Sequence, residues 1–134
     1  MNRVFLGGTC NGSDWRDTLI KAIQVGYFNP VVDDWDEGCQ AIERNEKELH
    51  CNIHLYVITK EMTGMFSIAE AVESSLTAGK ATIFHVMPDG FTGHQIKSFK
   101  AVCNMITKHG GIAYIDNDLM RTARVINYCY GGQD

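Results

Sequence analysis

Thr63-Gly64-Met65-Phe66-Ser67-Ile68-Ala69-Glu70 joins the apolar run Ile53–Ile58 to a helix-compatible segment that ends near Ala78-Gly79-Lys80. A strand that breaks into a glycine-containing loop and re-forms as a helix puts the first helical residues at the carboxyl edge of a sheet. Open α/β folds hold their ligands there. Two readings of Glu70 stay open on spacing. Ser67-x-x-Glu70 is a capping box, in which the Ser67 hydroxyl accepts from the residue-70 N–H and the Glu70 carboxylate reaches back to the residue-67 N–H. A carboxylate in the first helical turn is also favoured in its charged form by the helix dipole, fit to attack an electrophilic carbon if it faces a pocket.

Upstream, Val4–Leu6 is a short apolar run stopped by Gly7-Gly8, which predicts a buried strand and then a loop, Gly7-Gly8-Thr9-Cys10-Asn11-Gly12. Ser13 is a candidate N-cap, Asp14 and Asp17 suit a helix N-terminus, and Trp15, Leu19, Ala22 and Ile23 recur at helical spacing up to Gly26. The loop matches neither G-x-G-x-x-G nor G-x-x-x-x-G-K-[ST]. A backbone-driven tight turn and a small-ligand loop are both open. Tyr27–Val32 reads as extended, with Pro30 enforcing extension at Asn29. Asp33-Asp34-Trp35-Asp36-Glu37 is a solvated loop or, at the end of a parallel strand, an acidic group on the same edge as Gly7 and Glu70. Gly38–Leu49 predicts a modestly amphipathic helix with Cys39, Ile42 and Glu46 on one face and Glu43, Lys47 and Glu48 outward. His50 and His54 are separated by a helix-to-strand boundary, so no metal pair is expected.

Downstream, Ile68–Ala78 predicts a helix, Ala81–Val86 a strand, Met87-Pro88-Asp89-Gly90 a turn, and Phe99, Val102, Cys103 and Ile106 a helix stopped at His109-Gly110-Gly111. Ile112–Ile115 is a last strand, Asp116-Asn117-Asp118 an N-cap cluster, and Leu119 to Tyr130 a final helix. Strands alternating with helices call for a parallel sheet covered on both faces. Right-handed crossovers predict a flavodoxin-like three-layer sandwich of order 2-1-3-4-5. With 134 residues, 45% of them hydrophobic, the chain fits a single domain, 1–134. The net charge of −4 argues against duplex nucleic acid as a partner. No apolar run reaches a spanning length, and the five cysteines lack a C-x-x-C pair. A soluble protein in a reducing, cytoplasmic setting, with no membrane partner, is expected.

Val4-Phe5-Leu6-Gly7-Gly8-Thr9, Asn29-Pro30-Val31-Val32-Asp33-Asp34-Trp35 and Ser67-Ile68-Ala69-Glu70 with Gly79-Lys80 downstream together resemble the nucleoside 2-deoxyribosyltransferase-like family, including its deoxynucleotide N-glycosidase relatives. The resemblance runs in order from residue 4 to about residue 86. It implies cleavage or exchange of the N-glycosidic bond of a deoxynucleoside or deoxynucleotide, with no cofactor and no metal. Glu70 falls at the family's nucleophile, with Glu73 the rival one turn on. Asp33 or Asp34 falls at the acid that protonates the departing base. Gly7, Gly8, Thr9, Cys10 and Asn11 would lie over the sugar, with Trp35, Gly64, Met65 and Ser67 beside it. Ser67 would hold a sugar hydroxyl or a 5′-phosphate. The resemblance also implies a homodimer or larger homo-oligomer in which Asp116, Asn117, Tyr128 or Tyr130 of a neighbour completes the pocket. The same pocket without turnover would make the chain a nucleotide-binding or nucleotide-sequestering module.

Overall fold

The protein's structure, a computed structural model, describes residues 1–10, 12–31 and 36–132. Its elements are β1 (Arg3–Gly8), α1 (Trp15–Ile20), β2 (Gly26–Phe28), α2 (Glu37–Asn45), a π-helical turn (Glu46–His50), β3 (Ile53–Ile58), α3 (Phe66–Ser75), β4 (Ala81–Val86), α4 (Gly93–Lys108), β5 (Ile112–Ile115) and α5 (Leu119–Tyr130). The strands form one sheet in the order β2-β1-β3-β4-β5, and every pairing is parallel. This is the expected flavodoxin-like order, with helices on both faces.

The sheet centre explains the architecture. Every residue of β3 is buried, as a parallel strand covered on both faces requires. Its side chains alternate between two cores. Ile53, Leu55 and Val57 join Val4, Leu6, Ile83, Leu19 of α1 and Ile126 of α5. Tyr56 and Ile58 join Phe5, Phe84, Val86, Ala71 of α3 and Ile106 of α4. Register carries a row of aliphatic residues across the sheet, with Leu6 beside Leu55, Leu55 beside Ile83 and Ile83 beside Ile112. Among the described residues, no helix is long and apolar enough to cross a membrane.

Five local expectations change. The strand at Tyr27–Val32 is confined to Gly26–Phe28: it is an edge strand pairing only with β1, and Pro30 offers no N–H to extend the ladder. α1 ends at Ile20, so Gly26 begins β2 instead of ending the helix. Ser13 is not its cap; Asp14 is, without a side-chain bond. The helix predicted over Gly38–Leu49 runs as α-helix only to Asn45 and then widens into the π-turn. α4 starts well before Phe99, at a Thr92/Gln95 capping box.

Candidate active site

Gly7 and Gly8, expected to open a loop, are instead the last residues of β1, paired with β3, and neither has room for a Cβ. A Cβ on Gly7 would lie 2.7 Å from the Tyr56 ring; at Gly8, which has φ +111°, it would lie 2.1 Å from the Val57 carbonyl oxygen. The loop that follows them is held from behind by α1. The Trp15 indole N–H donates to the Thr9 carbonyl at 2.9 Å. The Arg16 guanidinium donates to the carbonyls of Leu6 at 2.9 Å, Thr9 at 2.7 Å and Gly8 at 3.3 Å and stacks on Trp15. Burial pushes the Arg16 pKa below its ordinary value. Arg16 is thus a structural clamp and not a surface cation for a ligand phosphate. Arg3, at the start of β1, is ion-paired with Glu46. The Thr9 hydroxyl accepts from the Thr59 N–H at 2.9 Å.

Beyond this loop lies a carboxyl-edge cleft of about 170 Å³, lined by Gly8, Thr9, Cys10, Ile58, Met62, Thr63, Gly64, Phe66 and Ser67. No Lys or Arg is among these described residues. Gly7 lies behind the cleft against Tyr56. Met65 does not line it and points to solvent, 76% exposed.

The capping box at Ser67 and Glu70 does not form. Met65 occupies the N-cap position without a side-chain bond, so Ser67 is already helical, and Glu70 lies past the first turn. Its carboxylate turns sideways instead and accepts from the Lys47 ammonium at 2.6 Å; the two side chains are only 12% and 13% exposed. This pair sits in a lateral cleft of about 410 Å³ between α2 and α3, lined by Gln40, Glu43, Arg44, Lys47, Glu48, Phe66, Glu70 and Glu73. Phe66 lines both clefts and is their shared wall.

Behind Glu70 a smaller cavity reaches His54 and Tyr56. The Tyr56 hydroxyl is buried and has no hydrogen-bond partner among the described residues. Burial, then the charges of Glu70, Glu73 and Glu43, push its pKa up. Burial pushes the His54 pKa down, so the ring is neutral. Its Nε2 faces the Lys47 carbonyl at 2.8 Å, which only accepts, so Nε2 carries the proton. Nδ1 then accepts from the Ser74 hydroxyl at 2.9 Å, and Ser74 meets Thr82 at 2.7 Å.

The remaining predicted residues lie elsewhere. Asn117 lines a separate cleft of about 380 Å³ with Thr59, Lys60, Glu61 and Asp89, where its amide oxygen accepts from the Asp89 N–H. Asp116 is bound to His85 and Arg121, and Tyr130 packs against the α1/α5 core. Tyr128 is 91% exposed. Asn11, Asp33, Asp34 and Trp35 lie outside the described residues. Sequence reading missed Lys47, Phe66 and Tyr56. Lys47 is expected outward, but Gln40, Glu43, Arg44 and Lys47 share the helical face that is turned toward α3, while Ile42, expected on the inward face, is 60% exposed. Among the described residues, no group of three His, Cys, Asp or Glu side chains is placed to hold a metal ion.

A match to the family described as nucleoside 2-deoxyribosyltransferase like covers residues 1–91, more than half of the chain. No curated protein and no solved structure matches. The chain belongs to the nucleoside 2-deoxyribosyltransferase-like family, which gives the general kind of activity, that of a glycosyltransferase- or hydrolase-like enzyme.

Proposed function

We propose that this member of the family cleaves or exchanges the N-glycosidic bond of 2′-deoxynucleosides through a covalent deoxyribosyl ester on Glu70. One observation carries the reading: Glu70 is not a helix cap but faces a cleft that shares the wall Phe66 with the glycine-loop cleft. A Glu70 oxygen attacks C1′ as the C1′–N bond breaks, and the bond's electron pair leaves with the base. Asp33 or Asp34 supplies the proton that neutralises the departing nitrogen. Positive charge on C1′ and the ring oxygen is stabilised by the carboxylate before the ester closes, as in retaining glycosidases. In the second step water or another base attacks C1′, the C1′–O bond breaks, and the Glu70 carboxylate leaves. The proton of the attacking group returns to the aspartate.

An uncharged nucleoside is favoured over a monophosphate because the carboxyl-edge cleft has no Lys or Arg among its described residues. Assembly of two or more copies belongs to the same proposal. α2 has no buried residue, and Ile42 and Leu49 are 60% and 70% exposed beside the lateral cleft. The elution volume and scattering mass of the purified chain test it.

Chromatography of free base tests the chemistry, after incubation with the four deoxynucleosides and, separately, their 5′-monophosphates, with a second base present as acceptor. Release or exchange that disappears in Glu70→Gln is the expected result. Wild-type silence across all substrates, with heat stabilisation by any of them, would replace it with a nucleotide-binding module.

A further inference from the structure

We infer that Lys47 is the positioning residue for Glu70: it holds one carboxylate oxygen, leaves the other free to attack C1′, and receives the carboxylate again when the ester breaks. The inference rests on the deoxyribosyl-ester reading above.

The backbone of Lys47 is anchored from two directions. Its carbonyl accepts from His54 of β3 at 2.8 Å and from the Lys80 ammonium at 3.4 Å. The same ammonium donates to the carbonyls of Glu48 at 2.6 Å and Cys51 at 2.9 Å. Lys80 thus ties two carbonyls of the π-turn to that of Cys51 just after it. Lys47 continues the face of Gln40, Glu43 and Arg44 that lines the cleft, and its side chain runs past the Phe5 ring to Glu70.

At the far end only Glu70 Oε2 is engaged; Oε1 has no partner among the described residues. A lysine suits this task because its ammonium is a point donor, whereas a guanidinium forks onto both oxygens. The surroundings fit the charge changes of the cycle. When the ester forms, Glu70 becomes neutral and Lys47 loses its counter-charge. Glu43 and Glu73 line the same cleft and keep the ammonium in an acidic setting during that interval. When C1′–O breaks, the ammonium stabilises the departing carboxylate.

The test compares wild type, Lys47→Met and Lys47→Arg for base release from the best deoxynucleoside, with melting temperature measured alongside. Lys47→Met is expected to lose about 30-fold or more in kcat with KM changed less than about threefold, the signature of an interaction that strengthens in the transition state. Lys47→Arg is expected to regain the melting temperature and only part of kcat, since its fork occupies the free oxygen. Should Lys47→Met fail to fold, Lys47→Gln, which keeps a donor without the charge, takes its place. An active wild type with a folded neutral variant of unchanged kcat would overturn the role of Lys47 and leave the Glu70 reading intact. Full kcat in Lys47→Arg would assign Lys47 a merely structural charge and overturn the single-oxygen role. An inactive wild type would overturn both, and is recognised before any variant is compared.

Discussion

His54 and His85 occupy opposite faces of the sheet and are bonded in the same manner. His54 meets the Ser74 hydroxyl at Nδ1 and the Lys47 carbonyl at Nε2; His85 meets the Thr122 hydroxyl at Nδ1 and the Asp116 carbonyl at Nε2. Each hydroxyl passes the chain to another, Ser74 to Thr82 and Thr122 to Tyr114. The difference lies one bond further out. The carbonyl held by His54 belongs to a residue whose side chain ends on Glu70 in a cleft. The carbonyl held by His85 belongs to Asp116, whose carboxylate ends on His85 itself and on Arg121. One network opens onto a site and the other closes on itself. A buried histidine is therefore no mark of function here; what its partner's side chain touches decides.

The largest effect that separates the two faces is expected at the end of the open network. Glu70→Gln should lower turnover by about 10³-fold or more while the melting temperature stays close to wild type. Base release and a thermal melt measured on the same sample check this.

Next come the histidines themselves. His54→Ala and His85→Ala should each cost about 2–4 kcal/mol in urea unfolding, since each takes one hydrogen-bond partner from a buried hydroxyl and one from a carbonyl and leaves a cavity behind. Only His54→Ala should also lower kcat per folded molecule, through a loosened Lys47. Equal kcat in the two variants would erase the distinction between the faces.

A smaller effect is shared by both. Burial pushes the pKa of His54 and of His85 below the ordinary 6.5. The folded chain therefore binds fewer protons than the unfolded chain in the window just below pH 6.5, and stability rises with pH there. The urea midpoint is expected to fall as pH drops from about 6.5 toward the depressed folded-state values, and to fall less steeply in His85→Gln than in wild type.

The smallest effect is a rate of thiol labelling that reports the core under the His54 face, to which Cys51 and Cys103 both belong. Burial pushes Cys51 and Cys103 up to about 11, while Cys10 is exposed at the mouth of the carboxyl-edge cleft. Cys10 should react promptly with a disulfide reagent, and a saturating nucleoside should slow it. Cys51 and Cys103 should react only as the chain unfolds.

The sheet was legible because its signals are local and redundant. Ile53–Ile58, Ala81–Val86 and Ile112–Ile115 are strands at their predicted bounds, since an apolar run that must be buried on both faces has one way to sit in a parallel sheet. The glycine pair was legible as the end of the first apolar run, but it closes β1 instead of opening the loop, because its need for glycine comes from Tyr56 and Val57, far away in the chain. Less legible were the ends of helices. Reading Ser67 as a cap assumed that α3 starts after it; the helix starts at Phe66, and each residue of offset turns a side chain by about 100°. Lys47 was misjudged for another reason: the hydrophobic pattern of α2 marks Ile42 as inward, whereas its charged face is the one that meets α3.

The amino-acid sequence by itself determined the strand order and set Glu70 in the helix that follows β3, because hydrophobic period and glycine placement act over a few residues. Tertiary structure decided what Glu70 faces, that Arg16 turns inward to hold carbonyls, and that Lys47 is the partner of Glu70. Those contacts join segments distant in the chain, and their direction follows from how α2, the π-turn and α3 settle against β1 and β3.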